Sequence, residues 1–121
     1  MKLLIVDDSM VMRNHIARLS SDGSLPEVEI VGLAANGRDA LAQARRKRPD
    51  CITMDLTMPE MDGCACIVEL ARLLPGARIL VVSALSDKAT ALRAIRGGAH
   101  GFVHKPFTEE QLRHALREIA Q

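Results

Sequence analysis

The side chains of this chain that could do chemistry lie at or just past the ends of short apolar runs. They are Asp7, Asp8, Asp55, Ser83 and Lys105. In an open parallel sheet, ligand sites form outside the carboxyl ends of the strands. If the apolar runs are parallel strands, these five side chains therefore meet at one edge of one sheet.

Three carboxylates in one crevice repel one another. At a separation of about 4 Å and an effective dielectric constant near ~20, each pair costs on the order of 4 kcal/mol. Lys105 alone does not offset three anions, so either carboxyl pKa values rise or a cation binds. A ligand set made only of oxygen favours a hard ion. We therefore predict a Mg²⁺ site, which would also accept Mn²⁺.

A single aspartate after a strand has a simpler explanation, because aspartate is a common helix N-cap. The pair Asp7 and Asp8 is a moderate signal for a metal site. The combination with Asp55, Ser83 and Lys105 at four strand ends is a stronger one.

The elements that must position these residues form a regular alternation of strands and helices. Strands are predicted at residues 3–6, 28–33, 51–54, 79–82 and 99–103. The helices between them have apolar residues at helical spacing. The predicted inward residues are Met12, Ile16 and Leu19 in the first helix, Ala40, Leu41 and Ala44 in the second, Ile67, Leu70, Ala71 and Leu74 in the third, and Leu112, Ala115, Leu116 and Ile119 in the last. A weaker fourth helix is predicted at roughly 87–96.

This alternation predicts an α/β fold with a parallel sheet that is covered by helices on both faces. The first, third and fourth strands are continuously apolar, as central strands are. The second strand contains Glu29 and the fifth carries Gly101, which suits sheet edges. We therefore predict a flavodoxin-like (βα)5 fold, with five parallel strands in the order 2-1-3-4-5, and a single domain over residues 1–121. A loop over residues 58–63 should lead into the third helix.

Composition excludes several classes of protein. The chain has 121 residues, 48% hydrophobic and 26% charged, which is the balance of a folded domain rather than a disordered chain. The net charge is +1, and the basic run at 45–48 is explained by a helix C-terminus, so we expect no nucleic-acid or membrane surface. The longest apolar runs are too short to cross a membrane. The three cysteines suggest neither a disulfide framework nor a zinc site, and reduced thiols fit the cytoplasm.

Four segments of the chain contain the residues singled out above. They are LIVDDS at 4–9, MDLTMPEMDG at 54–63, VVSA at 81–84 and FVHKPF at 102–107. With these segments the chain resembles the receiver domain of bacterial two-component response regulators, most closely the single-domain, CheY-type members. The resemblance covers the whole chain.

The resemblance implies a role for each acidic residue. Asp55 would accept a phosphoryl group from a histidine kinase. Asp8 and Asp55 would bind the metal directly, Asp7 would bind it through water, and the backbone carbonyl of Thr57 would supply a further ligand. Charge neutralisation by Mg²⁺ is needed because an anionic nucleophile must approach an anionic group.

The resemblance also implies how the signal leaves the site. Lys105 would pair with Asp55 and later hold a phosphoryl oxygen, and the bond before Pro106 is a candidate cis peptide. Ser83 would turn its hydroxyl toward the phosphoryl group, and Phe102 would then rotate inward. The surface of the fifth strand and the fourth and fifth helices would change with it.

The function implied is a phosphorylation-controlled signalling switch, as in chemotaxis or a phosphorelay, and not an enzyme that turns over a separate substrate. Its partners would be a sensor histidine kinase or phosphotransfer protein and a downstream protein target. It would act as a monomer or a phosphorylation-dependent dimer. Met1 and the lack of a linker favour a stand-alone regulator over a receiver from a longer protein with a DNA-binding or enzymatic domain.

Two functions of other classes are less consistent with the sequence. A Mg²⁺-dependent phosphohydrolase of the haloacid dehalogenase type needs an Asp-x-Asp pair after the first strand and a cap domain. A flavodoxin-type flavin carrier needs a phosphate-binding loop where Asp7 and Asp8 stand. It also needs stacking aromatics, and the chain has two Phe and neither Trp nor Tyr.

Overall fold

The computed structural model describes residues 1–23, 25, 27–58, 61–85 and 87–120. Pro59 and Glu60, which belong to the loop predicted at 58–63, lie outside these residues. Strands and helices alternate along the chain. In order they are β1 (Lys2–Val6), α1 (Met10–Ser20), β2 (Glu29–Ala34), α2 (Gly37–Lys47), β3 (Cys51–Met54), α3 (Gly63–Leu73), β4 (Arg78–Ser83), α4 (Lys88–Gly97), β5 (Gly101–His104) and α5 (Glu109–Ala120).

The five strands form one parallel sheet in the order β2-β1-β3-β4-β5. This confirms the predicted fold and strand order. β1 and β3 lie inside the sheet, and four of the five residues of β1 and all four of β3 are buried. The edge strand β2 begins with the exposed Glu29, as its sequence indicated.

Helices cover both faces of the sheet and form two hydrophobic cores. On one face α1 and α5 pack through Ile16 and Leu112, among others. On the other face α2, α3 and α4 pack through residues that include Ala44, Ile67 and Ala94. Every helix in the described chain is too short or too polar to cross a membrane.

Side chains at the strand–helix junctions define where the helices begin. Ser9, Asn36, Asp62 and Asp87 each accept a hydrogen bond from a backbone N–H in the first turn of the helix that follows. Before α5, Thr108 and Gln111 exchange two hydrogen bonds, which is the predicted capping box. The helices therefore begin beside the carboxyl ends of the strands, where the predicted site lies.

Two boundaries near the site differ from the prediction. β5 starts at Gly101 rather than at residue 99, because the Ala99 N–H donates to the Ala94 carbonyl and closes α4. Gly98, with a φ of 128°, makes the turn that allows this contact. Ser83 is the last residue of β4 rather than the first residue after it.

Gly63 allows α3 to lie directly against the end of β3. A Cβ at this position would stand 2.4 Å from the carbonyl oxygen of Asp55 and 2.5 Å from the Cα of Leu56. Both are backbone atoms, which cannot move aside as a flexible side chain would. A glycine is therefore needed for this close approach.

Candidate functional site

Three carboxylates meet at the ends of β1 and β3, which are two of the three inner strands. One oxygen from each of Asp7, Asp8 and Asp55 lies within 4.8 Å of the other two. Asp7 and Asp55 are buried, with exposed fractions of 1% and 5%, whereas Asp8 is exposed. The structure thus brings together the three acidic residues that the sequence singled out.

The sheet itself fixes the backbone of the two buried acids. The N–H of Asp7 donates to the carbonyl of Ala34 at 3.0 Å, and the N–H of Asp55 donates to the carbonyl of Val6 at 3.0 Å. These bonds continue the strand pairing for one residue beyond β1 and β3. The carboxylates therefore start from positions that the rigid sheet sets.

Lys105 reaches this cluster from the end of β5. Its Nζ lies 2.7 Å from Oδ2 of Asp7 and 3.8 Å from Oδ1 of Asp55. The sequence predicted pairing with Asp55, but the shorter contact is the one with Asp7. The peptide bond between Lys105 and Pro106 is cis.

Burial raises the pKa of Asp55 from 3.8 to about 6, because a charged carboxylate loses hydration inside the protein. The Lys105 ammonium acts against this shift and lowers the pKa, while the negative charge of Asp7 raises it. The hydrogen bond from the Thr57 N–H also lowers the pKa of Asp55, and the charge of Asp8 also raises it, both by smaller amounts. The site is therefore short of positive charge around Asp55, and a bound cation would relieve this.

Oxygen atoms supply the whole donor set of the acidic cluster, which fits a hard divalent cation such as Mg²⁺. Thr57 lies beside the cluster, since its N–H donates to Oδ1 of Asp55 at 3.3 Å. Its carbonyl as a metal ligand stays a prediction. Asp7, Asp8 and Asp55 together are suited to hold the ion.

Arg13 is a residue of the site that the sequence reasoning missed. Its Nη1 donates to the backbone carbonyl of Asp7 at 2.7 Å, and the N–H of Ser9 donates to Oδ1 of Asp7 at 2.9 Å. The position of Arg13, six residues after Asp7 in the sequence, could have indicated this contact. Helical side chains lean toward the N-terminus of their helix, and α1 begins close to Asp7.

Ser83 lies on β4, the strand next to β3, and Phe102 lies on β5, one strand further from the acidic cluster. Ser83 is fully buried, and its Oγ accepts a hydrogen bond from the Leu85 N–H at 3.1 Å. Phe102 is half-buried and packs against the core that α2, α3 and α4 form. It also lines a surface cavity of about 340 Å³ between β5 and α5, with His104, Gln111 and Ala115.

A family model of the response regulator receiver domain matches residues 3–117. The chain belongs to this family. A receiver domain of this kind is a phosphorylation-controlled signalling switch. Receiver domains bind Mg²⁺ at an acidic pocket, and this receiver has a cluster of three aspartates, Asp7, Asp8 and Asp55.

The relatives of this receiver differ in the share of their own length that the match covers. The chemotaxis protein CheY of Thermotoga maritima is 37% identical over 120 residues, which cover 99% of this chain and 98% of that protein. A protein-glutamate methylesterase/protein-glutamine glutaminase of Alkalilimnicola ehrlichii is 40% identical over 123 residues, which cover 97% of this chain and 31% of that enzyme. The likeness to the enzyme is therefore confined to one part of it.

A solved structure of a CheX–CheY–BeF3–Mg complex from Borrelia burgdorferi is similar to this receiver in fold. The TM-score is 0.92 at 25% identity, and the match covers 99% of this chain and 89% of that chain. Receiver domains of the CheY type interact with histidine kinases and with downstream targets.

Proposed function

We propose that Asp55 is the phosphoryl acceptor of this switch. The observation that carries the proposal is a carboxylate nine-tenths or more buried, beside two other carboxylates and 3.8 Å from the Nζ of Lys105. The backbone of Asp55 is held by the sheet, so the nucleophilic oxygen is placed before the phosphoryl donor arrives.

The chemical step is a phosphoryl transfer to a carboxylate oxygen. An oxygen of Asp55 attacks the phosphorus of a phosphohistidine and a new P–O bond forms. The P–N bond breaks, and its electron pair stays on the imidazole nitrogen of the donor. The acceptor must be ionised for this attack, which is the form that burial disfavours at Asp55.

Asp7, Asp8 and Asp55 would hold Mg²⁺, with the Thr57 carbonyl as a further ligand and Mn²⁺ as an alternative ion. When bound, the ion neutralises negative charge shared between the nucleophile and the phosphoryl oxygens. Lys105 supplies a second positive group, since its Nζ reaches toward both buried acids. It would turn from Asp7 to a phosphoryl oxygen after transfer.

Ser83 and Phe102 would carry the change from the site to the surface. In the structure, the Ser83 hydroxyl is engaged by the Leu85 N–H. Turning it toward a phosphoryl group on Asp55 breaks that bond and moves the chain after β4. Phe102 would then rotate into the space that opens, which alters the surface of β5, α4 and α5.

We further propose that the chain acts as a signalling protein of the CheY type and not on a separate substrate. A sensor histidine kinase or phosphotransfer protein would be the donor, and a downstream protein would bind the altered β5, α4 and α5 surface. The similarity to the CheY relative, 37% identical over 120 residues, supports this.

The test is intact-mass analysis after incubation with acetyl phosphate, with and without Mg²⁺. We expect the unsubstituted protein to gain one phosphoryl group only with Mg²⁺, and Asp55→Asn to gain none. Acetate is the leaving group in place of the donor imidazole.

Asp62→Asn is the matched control. Asp62 caps α3 and pairs with Arg93 at 3.3 Å, and asparagine caps helices as well as aspartate does. This variant should be phosphorylated like the unsubstituted protein. A phosphoryl group found on Asp55→Asn would refute the assignment.

A further inference from the structure

The imidazole of His104 bonds the loop that follows β4. Its Nε2 lies 3.2 Å from the carbonyl oxygen of Ala84. A carbonyl oxygen only accepts hydrogen bonds, so Nε2 carries the hydrogen and donates it. The neutral Nε2–H form and the imidazolium can both make this bond.

The same loop holds the Ser83 hydroxyl. Oγ of Ser83 accepts from the Leu85 N–H at 3.1 Å, and the carbonyl of Ser83 accepts from the Lys105 N–H at 2.8 Å. His104 and Lys105 thus bond two consecutive carbonyls, those of Ala84 and Ser83. The Lys105 contact uses the backbone, which every residue provides, whereas the His104 contact depends on its side chain.

We propose that His104 is a positioning residue that latches residues 83–85 in the resting arrangement. In that arrangement the Ser83 hydroxyl is bonded to Leu85 and is not free to turn to a phosphoryl group. The latch rests on the function proposed for Asp55 and Ser83. His104 would set how many molecules have the hydroxyl free before phosphorylation.

The size of the effect follows from the strength of one hydrogen bond. A freed Ser83 hydroxyl can donate to the phosphoryl group as it arrives on Asp55, so the rate of transfer scales with the fraction of molecules that have the hydroxyl free. Losing a bond of ordinary net strength changes such a fraction by about threefold to tenfold. His104 is exposed, so a substitution there removes the bond without opening a cavity in the core.

The first test compares three variants in self-phosphorylation by acetyl phosphate with Mg²⁺. His104→Leu removes the donor, His104→Gln keeps an N–H donor at a similar reach, and His114→Leu removes an exposed histidine that contacts Glu118. We expect His104→Leu to react about threefold to tenfold faster than the unsubstituted protein. The other two should stay within about twofold.

The second test does not depend on phosphorylation. Hydrogen exchange of the Leu85 N–H, followed by NMR without any phosphoryl donor, reports the bond to Ser83 directly. It should be faster in His104→Leu by a similar factor and unchanged in His104→Gln.

Equal rates in His104→Leu and the unsubstituted protein, in either test, would overturn the latch. So would a His104→Gln variant that behaves like His104→Leu, because the effect would then come from the ring and not from the donor. If no variant accepts a phosphoryl group, the function proposed for Asp55 fails, and the exchange of Leu85 still decides on the latch.

Discussion

Asp55 is the residue at which the needs of folding and of chemistry conflict most clearly. Burial raises its pKa to about 6, although Lys105 lies near and opposes the rise. The folded protein thus keeps a proton that the unfolded chain releases near pH 4. The contribution of Asp55 to the stability of the protein therefore falls as the pH rises from about 4 to about 6, and the loss is complete above that range.

We expect Asp55→Asn to stabilise the protein at pH 7.5 without divalent metal, by about 1–2 kcal/mol, because the uncharged amide avoids the cost of a buried charge. The gain should shrink as the pH is lowered through 6 toward 4. Urea unfolding at a series of pH values measures it. A destabilised Asp55→Asn protein at pH 7.5 would contradict the origin assigned to the raised pKa.

Some properties of the site residues could be read from the sequence and others could not. The acids at the ends of the first and third strands were predictable, because carboxyl ends of parallel strands share one edge. The preference of Lys105 for Asp7 over Asp55 was not predictable. It depends on the conformation of the Lys105 side chain, and Lys105 and Asp7 are 98 positions apart in the sequence. The contact of Arg13 with the Asp7 carbonyl likewise depends on the exact start of α1.

At the scale of elements, helix starts lie beside the carboxyl ends of the strands, and α3 begins directly against the end of β3. The strand order was predictable because apolar strands are central and polar or short ones are at the edge. The start of β5 was not predictable. The Ala99 N–H could have joined a strand or closed α4, and the sequence does not show that it donates to the Ala94 carbonyl.

Replacing Gly63 by alanine should destabilise the protein by about 1–3 kcal/mol, because the added Cβ meets the backbone at Asp55 and Leu56 and must displace α3 or β3. Thermal or urea unfolding measures the loss. We also expect weaker Mg²⁺ binding, since Asp55 would move with the strand end.

Gly76→Ala provides the comparison for this variant. Nothing lies within 4 Å of a Cβ built at Gly76, so this substitution should change stability by no more than about 0.5 kcal/mol. If Gly63→Ala is as stable as Gly76→Ala, the close contact of α3 with β3 is not as tight as the structure indicates.

At the scale of the whole molecule, two hydrophobic cores share one sheet, and the acidic cluster lies at the carboxyl ends of two inner strands. Side chains of β1 and β4 enter both cores, for example Leu3 and Leu80 in one and Leu4 and Val81 in the other. The domain should therefore unfold in a single transition, and a ligand at the acidic cluster should stabilise all of it.

We expect Mg²⁺ to raise the free energy of unfolding by about 2.7 kcal/mol when its concentration is one hundred times the dissociation constant. Thermal unfolding at increasing Mg²⁺ measures this, with NaCl of equal ionic strength as the control for screening. Asp8→Asn should lose most of the response. An equal response in Asp8→Asn and the unsubstituted protein would argue against the acidic cluster as the Mg²⁺ site.

The amides of Asp7 and Asp55 bond the Ala34 and Val6 carbonyls and belong to the sheet rather than to loops. This has a consequence for how such a protein can diversify. On the partner surface proposed above, substitutions on the outer faces of α4 and α5 would change the partner while the acids keep their places. Reaction chemistry and partner choice would then be altered separately, which would make the domain a convenient part for building new signalling connections.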